Sequence, residues 1–140
     1  MTVSELLEVV GELVSALKAF AAKLPAVLHR SVAPGGFKPT PEAVAAYEQV
    51  IHRFRNQRGS SVYRRLNDSF IESLEAFEGG RLFSAVQPLL AVLDHLDVMQ
   101  RDKEIAVTPA EEKRMADYRT ALNKILPGNQ PELEGAGRGM

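Results

Sequence analysis

The sequence predicts an all-α fold, an up-and-down bundle of four to five helices with a flexible C-terminal tail. Three observations carry this expectation. Apolar residues recur three and four positions apart through most of residues 2–126, the period of helices that turn one face to a core. No stretch of useful length alternates apolar and polar residues as a half-buried strand does. All but one of the connections between periodic segments are short, which favours antiparallel neighbours.

Each element follows from local chemistry. Val3, Leu6, Val10, Leu13, Leu17, Phe20 and Leu24 form the clearest stripe, widened by Leu7, Val14 and Ala21. That breadth suits a globular bundle better than a two-stranded seam. Thr2 and Glu5 have capping-box spacing at its start. Pro25 stops or bends the helix, and Ala26–Val32 continues it for a turn or two. The segment "SVAPGGFKPTP", residues 31–41, is too densely punctuated by Pro and Gly for regular structure and reads as the one clear internal linker.

Thr40 caps the second helix, with Pro41 at the first position, where a missing N–H is harmless. Its apolar set is Val44, Tyr47, Val50, Ile51 and Phe54. Gly59, Ser60 and Ser61 mark a turn. A third helix follows on Val62, Leu66, Phe70, Leu74 and Phe77, ended by Gly79 and Gly80. Leu82, Phe83, Val86, Leu89, Leu90, Leu93 and Leu96 define a fourth, which Pro88 either kinks or divides. Thr108, Pro109 and Glu111 open a fifth carrying Met115, Tyr118, Leu122, Ile125 and Leu126. Residues 1–126 are therefore expected to form a single domain, and the Gly- and Pro-rich residues 127–140 a flexible tail.

Composition narrows the chemistry. With 45% hydrophobic and 25% charged residues, the chain is globular rather than disordered. The absence of cysteine excludes a disulfide framework, a thiolate nucleophile and a cysteine-ligated zinc site, and fits a reducing compartment; a cytoplasmic location is expected. Glu5, Glu8 and Glu12 break the N-terminal apolar pattern, and no segment approaches the ~20 uninterrupted apolar residues of a spanning helix. No membrane contact is expected.

Catalytic signals are weak. His29, His52 and His95 lie in separate segments without HExxH-type spacing. Gly59 lacks the rest of a phosphate loop, and Ser60 and Ser61 lack a strand-to-helix nucleophile elbow. The densest polar cluster is "DHLD", with Asp94, His95 and Asp97 near Asp102; it reads as a solvated helix face. The expectation is a non-enzymatic protein with no catalytic residues, metal or cofactor.

The strongest local signal is positive charge. "HRFRNQRGSSVYRR", residues 52–65, holds five arginines and no acid. Subtracting these five charges from the formal net charge of −1 leaves −6 on the remainder. If the second and third helices form a hairpin, the arginines converge on its tip. Arg64 can pair with Asp68, and Arg53 and Arg55 meet the negative end of the second helix. Arg64 and Arg65 at the start of the third helix oppose its dipole, which leaves room for an external anion. Backbone N–H groups and hydroxyls of the turn could assist. The expected contact residues are Arg53, Arg55, Arg58, Ser60, Ser61, Tyr63, Arg64 and Arg65, with Tyr63 partly exposed and its hydroxyl in water.

Two functions fit such a tip. The first is an adaptor or complex subunit that binds another protein through the arginines and the apolar edge of the first helix; homo-oligomerisation is compatible with it. The alternative is a small subunit of a nucleoprotein complex that touches nucleic-acid phosphates with the same tip. A sequence pI near 6.3 falls well short of the pI above about 9 of stand-alone nucleic-acid binders, which favours the protein partner.

Overall fold

The computed structural model describes residues 1–23, 38–58 and 62–126. Among these, five α-helices and no strand occur: α1 (Val3–Lys23), α2 (Pro41–Arg58), α3 (Asn67–Glu78), α4 (Leu82–Arg101) and α5 (Pro109–Ile125), with a short 3-10 helix (Val62–Leu66) ahead of α3. The all-α expectation holds. Leu24, the Ala26–Val32 extension, most of the 31–41 linker, the Gly59–Ser61 turn and the 127–140 tail lie outside the described residues.

The helix starts are those the caps predict. Thr2 N–H donates to Glu5 Oε1 (2.8 Å) and Glu5 N–H to Thr2 Oγ1 (3.1 Å), a reciprocal box. Ala43 N–H donates to Thr40 Oγ1 (3.1 Å). Thr108 and Glu111 form the second reciprocal box, at 2.9 and 3.1 Å, with Pro109 opening α5. Gly80 ends α3 at a φ of 76°, which a side chain tolerates poorly.

Packing sets the direction of every helix. The Glu12–Arg53 ion pair lies at one level and the Phe20–Phe77 and Tyr47–Phe77 ring contacts at another, so α2 runs antiparallel to α1. Phe54 meets Phe70 while Tyr47 meets Phe77, which turns α3 back again. The Ser73 hydroxyl bonds the Ala85 carbonyl across the α3–α4 hairpin. Gln100–Glu112 and Asp94–Arg119 contacts run α5 antiparallel to α4. Contact between α5 and α1 closes the ring, and these two helices are parallel: Ser4 meets Glu111, and Gly11 lies under Tyr118.

The core is the predicted apolar set. Leu6, Leu13, Leu17, Phe54, Leu66, Phe70, Leu89, Leu93, Leu96 and Leu122 are fully buried, at roughly 1.5–3 kcal/mol for each large apolar side chain removed from water. The large apolar residues of the α1 stripe pack into this core.

Two details depart from, or decide, the sequence reading. The residues taken as the first turn of the third helix form the 3-10 helix, and α3 begins at Asn67. And α4 runs unbroken through Pro88; the missing N–H deprives only the Ser84 carbonyl, on an exposed residue where water can serve it. By length and composition α4 is also apolar enough to cross a membrane; Leu82, Ala85, Val86, Leu89, Val92, Leu93, Leu96 and Met99 of it are buried in the core.

Candidate functional site: the basic end of the bundle

The helix directions place the C-termini of α2 and α4, the 3-10 helix and the N-termini of α1, α3 and α5 at one end. Arg55, Arg64 and Arg65 belong to it, whereas Arg53 lies at the level of Glu12 in the middle of α1. Arg58 is the last residue of α2, whereas Ser60 and Ser61 lie outside the described residues.

The four described arginine side chains divide into two kinds. Arg53 pairs with Glu12 of α1, and Arg65 with Glu104 in the α4–α5 connection at 3.1 Å; every member of these pairs is at least a third exposed, where ion pairs contribute only about 0–1 kcal/mol. Arg55 and Arg64 are exposed and form no ion pair among the described residues. The expected Arg64–Asp68 pair is therefore not formed. Asp68 instead occupies the first turn of α3, where a carboxylate complements the dipole. Arg64 and Arg65 lie in the 3-10 helix, which runs into α3 through a helical Leu66, so they remain at the positive end of the helical stretch.

Tyr63 departs from expectation. Its side chain is buried, 4% exposed, rather than partly open to water. Tyr63 lies three residues before Leu66, on the same face of the 3-10 helix, and both are buried, while Arg64 and Arg65 point outward. Burial, followed by the nearby Glu111 charge, raises the Tyr63 phenol above its ordinary range.

Folding adds basic residues that the sequence stretch does not contain. The Arg65–Glu104 pair holds the α4–α5 connection against the 3-10 helix, and that connection carries exposed Arg101 and Lys103. Lys103 has a φ of 64°, in the left-handed region where glycine is the favoured residue. Asp102 and Glu104 are interspersed with them. Nearby, Asn67 Oδ1 is buried without a hydrogen-bond partner among the described residues.

The "DHLD" cluster has an occupant that the sequence concealed. Arg119 of α5 donates to Asp94 Oδ1 at 2.7 Å and to Asp97 Oδ2 at 2.9 Å, and His95 is exposed beside them. Among the described residues, no group of three or more His, Asp or Glu side chains is arranged to hold a metal ion. No family model, curated protein or solved structure matches the chain.

Proposed function

We propose that the protein is a binding subunit whose basic end, built around Arg55, Arg64, Arg101 and Lys103, contacts acidic groups of a partner protein. One observation supports this most directly. Lys103 occupies a left-handed backbone position that glycine would fill at lower cost, at the same end of the bundle as Arg55 and Arg64, which form no ion pair among the described residues. A strained residue whose side chain makes no contribution to the core is suited to a surface role. The guanidinium groups of Arg55 and Arg64 are suited to bidentate recognition of carboxylates.

The test is affinity purification of the tagged full chain from its native cells, with wild type compared with an Arg55→Glu/Arg64→Glu variant. A protein partner recovered by the wild type and lost in the variant supports the proposal. Binding of a labelled single-stranded oligonucleotide that weakens steeply with salt, with no protein lost in the variant, favours phosphate contact instead.

A further inference from the structure

A second surface lies on the side of the bundle. Helix α1 is flanked by α2 and α5 and backed by α4, which leaves one stripe of it facing outward. An open groove of about 700 Å³ runs over the first half of that stripe, with Ala16, Ala46, Val50 and Tyr118 among its apolar lining. Another of about 560 Å³ continues over the second half, lined by Ala21, Ala22, Ala121 and Ile125.

The charges on this stripe have a definite order. Glu8 and Glu12 lie in the first half and Lys18 and Lys23 in the second, all exposed, with Ser15 exposed between them. We infer that this face of α1 is a self-association surface, on which a second copy of the chain packs with its own α1 antiparallel about a two-fold axis at Ser15. That axis sets Glu12 opposite Lys18 of the copy and Glu8 beside Lys23, and the symmetry repeats both pairs. A parallel arrangement would oppose like charges.

Charge order alone is common, because acids early and bases late also suit a helix dipole. Here the charges flank apolar grooves, and Ser15 and Ala19, exposed on the stripe, bring no long side chain between two backbones. Arg114 lines the first groove beside the acids and Asp117 the second beside Lys18, so it is the order of charge along α1 itself that a second copy running antiparallel matches. A helix of this length spans about 30 Å, and with its two neighbours provides room for the ~800 Å² per partner of an ordinary stable interface. Glu12 already accepts a hydrogen bond from Arg53, so it would bridge Arg53 and the copy's Lys18. The basic end stays open in such a dimer.

Sedimentation equilibrium on the full chain between roughly 10 and 200 µM tests this across the micromolar range. The wild type is expected to dimerise. Glu8→Lys/Glu12→Lys and Lys18→Glu/Lys23→Glu variants, confirmed as folded by circular dichroism, are each expected to weaken the dimer about tenfold or more, and an equimolar mixture of the two to restore it. Since the chain has no cysteine, Ser15→Cys adds one thiol at the axis, and mild oxidation should yield a covalent dimer. A wild type that stays monomeric overturns the inference; so does a dimer that survives both charge reversals, or variants that fail to pair when mixed.

Discussion

The Ser4 hydroxyl donates a 2.6 Å hydrogen bond to Glu111 Oε2, across 107 residues of sequence. It joins the N-termini of α1 and α5, and the same Glu111 closes the α5 capping box through Oε1. Together the Ser4 hydroxyl first, then the Thr108 backbone N–H, hold the Glu111 carboxyl below its ordinary range. A carboxylate whose folded pKa is depressed stabilises the fold fully above its unfolded pKa, and that contribution fades as pH falls through the folded value. Ser4→Ala should therefore raise the Glu111 pKa in a carboxyl NMR titration and move the acid-unfolding midpoint to higher pH. An unchanged pKa would show that the capping box alone sets it.

Buried hydrogen bonding links three helices at Tyr47, Ser73 and Ala85. Ser73 donates its only proton to the Ala85 carbonyl at 2.8 Å, so the Tyr47 hydroxyl, 2.5 Å away, is the donor to Ser73. Ser73→Ala strands the buried Tyr47 donor and leaves the Ala85 carbonyl with its helical partner alone, and should cost about 1–3 kcal/mol in urea unfolding. Tyr47→Phe removes a donor while Ser73 keeps its bond to Ala85, so a smaller loss of about 1 kcal/mol is expected. Burial raises the Tyr47 pKa, so stability should decline as pH rises beyond about 10, where unfolded tyrosine ionises; Tyr47→Phe should flatten that decline.

Caps and heptad-like stripes were legible in the sequence because both are local. Thr2, Thr40 and Thr108 act on N–H groups within one turn, and residues such as Leu6, Leu13 and Phe70 need only the helical period to be assigned inward. The 3-10 helix was not legible, since residues three apart, such as Tyr63 and Leu66, share a face in both helix types. At the candidate site, the arginines of residues 52–65 announced themselves by charge. Arg101 and Lys103 join them only through the Arg65–Glu104 contact, and Arg119 reaches Asp94 and Asp97 only once α4 and α5 pack. Spacing along the chain cannot carry that kind of information.

Gly11 in α1 sets two effects against each other. Alanine in a helix interior is favoured over glycine by about 1 kcal/mol. Here an added Cβ would lie 2.5 Å from Tyr118 Oη and 2.9 Å from Cζ, so the ring must move and loosen the Arg114 hydrogen bond at 3.3 Å. Overpacking typically costs about 1–3 kcal/mol, so Gly11→Ala is expected to destabilise by about 1 kcal/mol net. With Tyr118→Ala already present the sign should reverse, which a double-mutant cycle by chemical denaturation will read directly.

Lys103 gives the sharpest separation of stability from binding. Left-handed backbone costs a non-glycine residue about 1–2 kcal/mol, and glycine's greater freedom in the unfolded chain returns about 0.5–1 kcal/mol of any gain. Lys103→Gly should therefore raise stability by roughly 0.5–1 kcal/mol, visible as a higher urea midpoint at unchanged slope. If the basic end binds an acidic partner, the same substitution weakens that complex, because it removes an exposed cation without disturbing Arg55 or Arg64. Lys103→Asn, which tolerates the left-handed region, separates the two terms: it should keep part of the stability gain and show the full loss of binding. A Lys103→Gly protein that is more stable and binds its partner undiminished would exclude this side chain from the interface.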